Sequence, residues 1–446
     1  MIVMKFGGTS VDSREAIARV AEIVRSQRER HPIVVVSAMG KTTNTLLAIA
    51  AAATAGCRTD ALDDLATLRG FHLGESTDPS LAPQIEAHFD ELAELVRGLV
   101  IMGECTPRAT DAVAAFGERL SSLIVAGALR QAGIDSVHVD SRRVIVTDGR
   151  HTQAAPLVAD TTARLQQQVA PLAARQVVVM GGFLGATVGG VTTTLGRGGS
   201  DYTASLVGAA LNAEEIQIWT DVDGMLTTDP TILPTAQRVA ECSFAEAAEL
   251  AYFGAKVLHP ATVLPAIEKG IPVRILNARR PENAGTRIVA SAAPSSGTIR
   301  SMACKRRITL VNVVSLRMLM AHGFLRQIFE VFDRFETPVD MLATSEVSVS
   351  LTIDNTAALS DICSALATFA DVSVEHDQAI VCLVGENIRH SPNVAARVFG
   401  ALRDVNVRMI SQGASRLNIS LVVAAGDLPR AIASLHREFF PEARAA

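Results

Sequence analysis

The chain has 446 residues, of which 48% are apolar and 20% charged, with a formal net charge of −5. That length exceeds one ordinary core and suffices for two or three domains, and the apolar content excludes intrinsic disorder. The mild negative charge, with no basic run longer than CKRR, excludes nucleic acid or an anionic membrane as a partner recruited by charge.

The N-terminal MIVMKF predicts a strand and not a signal peptide, because no charged stretch precedes a long apolar run. It runs into KFGGTS, where Lys5 ends a strand and Gly7 and Gly8 form a turn. Free backbone N–H groups at such a turn suit phosphate, and a lysine adds a compact charge, although a tight turn with a solvated lysine has the same letters. A helix is expected over 12–24, with Asp12 as its N-cap and Ile17, Val20 and Val24 on one face. IVVVS at 33–37 is again strand. The following SAMGKTTN imitates a phosphate loop, but Val35 stands where that motif needs glycine.

A helix is expected over 111–131, and its FGERLSS places Glu118 among apolar residues; alone, Glu118 reads equally as a surface carboxylate. Short strands follow at 137–139 and 177–180. The uncharged stretch 177–196 approaches the length of a membrane span, but its six glycines favour strand–turn–strand. TTTLGRGGSDYTA then opens a helix over 201–211. Its glycines allow close backbone approach and Arg197 can grip a carboxylate, while Asp201 reads as either a cap or a functional acid. IWTDVDGMLTTDP is a strand at 216–219 with an acidic turn suited to a nucleotide or its Mg²⁺. FGAKVLHP adds Lys256, which alone reads as a surface lysine. Helices at 244–253 and 261–268 and a strand at 272–275 complete the pattern. Apolar strands alternating with helices predict an α/β fold with a mainly parallel sheet covered on both faces.

The composition changes at ASAAPSSGTIRS, which reads as a linker. The tail beyond it repeats. VDMLATSEVSVSLTI starts at Val339 and VRMISQGASRLNISLVV at Val407, each after an amphipathic helix, as two βαββαβ units would. The expected boundaries are a catalytic domain over 1–290, a linker over 291–305, and tail domains over 306–375 and 376–446. The six cysteines form no C-x-x-C pair and no metal-ligand spacing with histidine, which reads as reduced thiols in a cytoplasmic protein.

KFGGTSV, FGERLSS, TTTLGRGGSDYTA, WTDVDGMLTTDP and FGAKVLHPAT, in this order and spacing, closely resemble the aspartate kinases of the amino-acid kinase family. GFLRQIF and VDMLATSEVSVSLTI resemble the ACT repeats of that family, most like its lysine-sensitive monofunctional branch. The resemblance implies an amino-acid kinase fold followed by two ferredoxin-like ACT domains that commonly dimerise. It implies transfer of the γ-phosphoryl of MgATP to the β-carboxylate of L-aspartate, the first step towards lysine, threonine and methionine. Lys5 would then contact the ATP phosphates and the transferring group, with Gly7 and Gly8 lining that path and Asp201 orienting the lysine. Thr43 and Glu118 would hold aspartate, and Arg197 its α-carboxylate, with Gly198, Gly199 and Ser200 beside it. Thr220, Asp221 and Lys256 would hold ATP.

The matching effector pattern is Met318, Gly323, Phe324, Leu325, Val339, Asp340, Ser345 and Glu346, with lysine as the implied ligand. Three positions depart from the family pattern. Leu226 replaces an aromatic residue expected beside the nucleotide base, and Ala321 and Pro338 replace small hydroxyl residues near the effector. The chemistry suits this inventory. A carboxylate acceptor is already ionised at neutral pH, so cations and backbone amides are needed and a general base is not. Two alternatives stay open: a relative acting on glutamate, acetylglutamate or UMP, against which RGGSD and the tandem tail weigh, and an inactive amino-acid sensor, against which the retained Lys5, Glu118, Arg197, Asp201 and Lys256 weigh.

Overall fold

The computed structural model describes residues 1–254, 260–293, 298–316 and 322–441, which form two compact units. The first holds Met1–Met225, Ala240–Phe244 and the described residues of 257–292. The second holds Leu226–Val239 and the described residues of 245–256 and 293–446.

The strands of the first unit are β1 (Ile2–Phe6), β2 (Pro32–Val36), β3 (Ser136–Val139), β4 (Val146–Thr147), β5 (Val177–Gly181), β6 (Leu184–Thr187), β7 (Thr192–Thr194), β8 (Glu215–Thr220), β9 (Glu241–Ser243), β10 (Val273–Asn277) and β11 (Thr286–Val289). Eight of them form one sheet in the order β3-β5-β2-β1-β8-β10-β11-β9. Neighbours are parallel except β10 and β11. All five residues of β2 are buried, as a continuous PIVVV run requires in a sheet covered on both faces. The chain proceeds from β1 to β2 on one side and later sets β8 on the other. That reversal opens a crevice at the carboxyl ends of β1 and β8, the general ligand position in open α/β sheets.

Helices through residue 293 are α1 (Arg14–Ser26), α2 (Thr42–Thr54), α3 (Arg58–Glu75), α4 (Ala82–Met102), α5 (Pro107–Ala114), α6 (Phe116–Gln131), α7 (Val158–Arg164), α8 (Ala170–Ala173), α9 (Gly199–Leu211), α10 (Phe244–Tyr252) and α11 (Leu264–Glu268); α10 falls in the second unit from Ala245 on. Several differ from expectation. Asp12 does not cap α1; Ser13 does, its Oγ accepting the Ala16 N–H at 3.2 Å. The helix expected over 111–131 starts earlier, at Pro107 behind a Thr106 cap, and is divided at Ala115 into α5 and α6. The stretch 107–131 is apolar enough to cross a membrane, but 89% of its most apolar window is buried inside the protein, which makes it a core helix. The glycine-rich stretch 177–196 is strand–turn–strand, as β5, β6 and β7. The expected helix over 261–268 is a short 3₁₀ turn leading into α11. Helices α2, α3 and α4 had no counterpart in the sequence reading. They bury Leu46, Ile49, Leu65, Leu68, Ile85, Phe89, Leu92 and Val96 in the core that also holds β1 and β2 residues.

The second unit carries β12 (Ser301–Val314), α12 (Phe324–Arg334), β13 (Met341–Thr344), β14 (Ser348–Ile353), α13 (Leu359–Leu366), β15 (Asp371–Val384), α14 (Val394–Ala401), β16 (Val407–Gln412), β17 (Asn418–Ala424) and α15 (Leu428–Phe439). One antiparallel sheet runs β13-β14-β12-β15-β17-β16. β12 and β15 are each long enough to serve both repeats. The later part of β12, then α12, β13, β14, α13 and the start of β15 make one βαββαβ repeat around Val311, Ile328, Phe332 and Leu351. The rest of β15, α14, β16, β17 and α15 make the second around Val381, Val398, Leu421 and Ile432. Its fourth strand is Ser301–Lys305, which pairs with Val384–Ile380, so the expected linker over 291–305 ends in strand.

A buried histidine, His72, and a half-buried one, His138, make the first unit acid-sensitive. His72 is fully buried between Phe71 and Phe89, and burial pushes its pKa down to about 4. Burial likewise pushes His138 down to about 4. Each folded pKa lies below the unfolded value near 6.5, so the unfolded chain binds the extra proton and stability is lost as pH falls from 6.5 towards 4. His72→Leu is expected to remove on the order of 1–2 kcal/mol of that loss near pH 5. Thermal melting of both proteins from about pH 7 to 5 checks this; parallel curves would refute it.

Candidate active site

The carboxyl end of β1 delivers Lys5, and its Nζ lies 2.7 Å from Asp201 Oδ1. Asp201 is not the cap of α9. It sits in the first turn, behind an N-cap at Gly198 whose φ of +73° a side chain would disfavour. A carboxylate there gains from the helix dipole while it holds the ammonium. Both side chains are mostly withdrawn from water. After β1 the Gly7 N–H donates to Trp219 O at 3.0 Å, which ties the turn to β8. Gly8 is obligatory for packing: a Cβ there would lie 2.8 Å from Ala38 O and 3.0 Å from Gly40 O.

Helix α6 is buried from Phe116 to Leu129 and carries polar residues inward. Arg119 is paired with Glu91 at 2.7 Å, Ser121 Oγ donates to Ser37 O, and Ser122 Oγ donates to Glu118 O. Glu118 Oε1 accepts the Ala38 N–H at 3.1 Å, whereas Oε2 is buried without a partner among the described residues. Desolvation raises the Glu118 pKa to about 8, against the smaller lowering effects of the backbone N–H and the Lys5 charge. Burial therefore favours the protonated acid at neutral pH, and a nearby cation would favour the ionised form.

One cavity of about 480 Å³ gathers Lys5, Thr43, Glu118, Arg197, Gly198, Gly199, Ser200 and Asp201. Thr43 enters from the first turn of α2. Arg197 is exposed and has no ion pair among the described residues. Thr220 and Asp221 do not line this cavity. They stand at the carboxyl end of β8, beside the β1 end, with Thr220 Oγ1 donating to Asp221 Oδ1 at 3.3 Å. Lys256 lies outside the described residues. Sequence reading missed Ser37, Asp111, Thr152, Phe183 and Thr194, which also line the cavity. Thr194 stood inside a quoted motif and could have been found; Asp111 and Thr152 come from unmarked segments.

In the second unit Gly323 caps α12 with φ +82°, and Phe324 and Leu325 open that helix. Val339 and Asp340 lead into β13, and Ser345 and Glu346 form the turn to β14. Lys305 Nζ reaches Asp340 at 2.6 Å and Asp354 at 2.7 Å. Met318 and Ala321 lie outside the described residues.

An α/β sheet with a lysine–aspartate pair at its strand ends and a glycine-rich helix entry defines a small-molecule phosphotransferase. The amino acid kinase family profile matches residues 1–277 and an ACT domain profile residues 381–439, so the chain belongs to the amino acid kinase family. Its full-length relatives are aspartokinases. It is 37% identical to lysine-sensitive aspartokinase 3 of Escherichia coli, over 99% of each chain. It is 38% identical to chloroplastic aspartokinase 1 of Arabidopsis thaliana, over 98% of this chain and 80% of that one. The structure matches E. coli aspartokinase III solved with aspartate and ADP at a TM-score of 0.81, 36% identity and 99% and 100% coverage. It matches Clostridium acetobutylicum aspartate kinase at 0.85, 25% identity and 98% and 100% coverage.

The raised Glu118 pKa has a consequence for stability. The fold binds an extra proton between the unfolded value of 4.5 and about 8, so stability is lost as pH rises through that window. Glu118→Gln carries a permanently neutral group. Its melting temperature, without substrate, is expected to gain on the wild type by a few degrees between about pH 5 and 8. A constant difference across that range would contradict the assignment.

Proposed function

We propose that the protein moves the γ-phosphoryl group of ATP onto the β-carboxylate of L-aspartate, giving 4-phospho-L-aspartate and ADP. The observation that carries this reading is the single cavity in which a withdrawn lysine–aspartate pair shares space with an exposed guanidinium and an unpaired carboxylate oxygen. Those groups complement an amino acid with two carboxylates. Arg197 takes the α-carboxylate bidentately, Glu118 Oε2 takes the α-ammonium with Thr43 beside it, and the β-carboxylate is left to face Lys5. Solved E. coli aspartokinase III holds aspartate and ADP, which supports the pairing of ligands.

A β-carboxylate oxygen attacks the γ-phosphorus with a lone pair. The bond from that phosphorus to the β–γ bridging oxygen breaks, and ADP leaves with its electrons. No proton must be removed from the nucleophile. Lys5 offsets the charge spread over the transferring oxygens, and Asp201 keeps it aimed. Gly7 and Gly8 supply a side-chain-free path for the phosphates, and Thr220, Asp221 and, on resemblance, Lys256 hold the nucleotide. A magnesium ion binds through one or two carboxylates together with substrate phosphates and keeps several of its waters, so it would arrive with ATP. Such an ion would neutralise phosphate charge, and Asp201 or Asp221 would be the carboxylates that hold it.

Lysine is the proposed inhibitor, at Gly323, Phe324, Leu325, Val339, Asp340, Ser345, Glu346 and Met318. The 37% identical lysine-sensitive aspartokinase 3 and the E. coli enzyme solved with lysine and aspartate support this. Pairing of ACT repeats into a dimer or larger assembly is supported by the exposed Leu325, Phe329 and Leu342 on the first repeat. Six free cysteines support a reducing, cytoplasmic setting.

Purified protein, MgATP and a panel of acidic acceptors, with hydroxylamine trapping the acyl phosphate, test the reading. Aspartyl hydroxamate is expected, and none from aspartate would overturn it. Lys5→Ala should lower kcat by ~10²–10³-fold, and Arg197→Ala should raise the aspartate KM by ~10–100-fold with a smaller change in kcat. Titrating lysine, threonine and methionine separately and together in the same assay tests regulation: inhibition by lysine is expected, and activity unchanged by all three removes the feedback proposal.

A further inference from the structure

Asp111 on α5 is fully buried, and among the described residues it has no lysine or arginine partner. A carboxylate in that position is costly unless its oxygens are saturated with donors. They are. Thr194 Oγ1 donates to Oδ1 at 2.6 Å, His151 Nδ1 donates to Oδ2 at 2.8 Å, and the Thr152 N–H is shared between the two oxygens at 3.1 and 3.0 Å. The approximately four acceptor positions of a carboxylate are then all engaged. Glu118, in the same cavity wall, differs by keeping one oxygen open. Asp111 therefore has nothing left for a ligand, and its role lies in the segments it joins.

Those segments form the back of the site. Thr152 holds φ at +70°, a left-handed conformation that a β-branched residue adopts only when its surroundings impose it. The shared N–H is the imposing contact. The Ala154 N–H pairs with Thr194 O at 2.9 Å, extending the link to β7. The Thr152 carbonyl lies only 3.0 Å from where a Cβ on Gly196 would stand, so the loop abuts the turn that carries Arg197. Release of Thr152 into a relaxed conformation would move that carbonyl against Gly196 and shift the guanidinium.

We propose that Asp111 is a positioning residue for the acceptor, clamping Thr152 and Thr194 so that Arg197 meets an incoming carboxylate in one fixed geometry. This rests on the acceptor site assigned above. Asp111→Asn keeps the shape and replaces an acceptor oxygen with a donor. It should raise the aspartate KM by about tenfold, with kcat within about threefold and the ATP KM unchanged, since misplacement touches acceptor binding first. His151→Ala removes one donor from outside the cavity and should raise the aspartate KM by about threefold; it carries the test if Asp111→Asn does not fold. In Asp111→Asn with Thr152→Gly, glycine adopts the positive φ freely, and the aspartate KM should recover part of the loss. The proposal is overturned if both single variants keep the wild-type aspartate KM, if the ATP KM rises equally, or if only the melting temperature falls. Wild-type protein that makes no aspartyl hydroxamate overturns the functional reading instead, whereas active wild type with unaltered variants overturns this inference alone.

Discussion

The ion pair between Lys5 and Asp201 is the constraint on which the site of the first unit depends. It joins the end of β1 to the first turn of α9 across 2.7 Å, with both side chains mostly out of water. A lysine at a strand end would otherwise sweep a wide volume, because its four-carbon stem is flexible. One carboxylate restricts that volume and leaves the remaining ammonium protons for a ligand. The glycines around it follow from the same demand. Gly198 starts the helix where a side chain would disfavour the required φ, and Gly182 leaves room for Ser200, whose Cβ lies 2.6 Å from where a glycine substituent would stand.

The acids around this bond show how environment separates identical chemistry. Asp201 is paired with a lysine, Asp111 is saturated by hydroxyl, imidazole and backbone donors, and Glu118 is stranded with one oxygen unpartnered. Burial pushes the Glu118 pKa up to about 8. An acid pushed up by burial takes stability from the fold near neutral pH, and its open oxygen answers a cationic ligand that favours the ionised form.

Much of this was legible in the sequence where backbone demands leave letters behind. β2 and β5 announce themselves as β-branched runs and β1 and β8 as short strands rich in isoleucine and valine or aromatic residues, and the glycine-rich entry to α9 marks a site because few other residues tolerate those angles. The cap of α1 was misplaced by one residue because Asp12 and Ser13 are both capping residues, and only packing decides between them. Helix α2, TTNTLLAIAAAAT, has too little polar contrast to reveal its phase, and its partners α3 and α4 went with it. Asp111 was invisible for another reason. Nothing in PRATDAVA distinguishes a buried clamp from a surface acid, since its donors arrive from 41 and 83 residues away.

The strand Ser301–Lys305 has a consequence for how the chain acquires its shape. It precedes the whole first repeat, yet its pairing partner Val384–Ile380 follows that repeat. The second repeat therefore cannot close until the first has been made and its ends brought together. Such distant pairing slows folding, because loop closure comes before the contacts that reward it. It also means that a cut between the repeats would strip the second of the strand Ser301–Lys305. The two repeats are consecutive in sequence but not equivalent in construction, because a fragment that begins after the first repeat lacks one strand of the second.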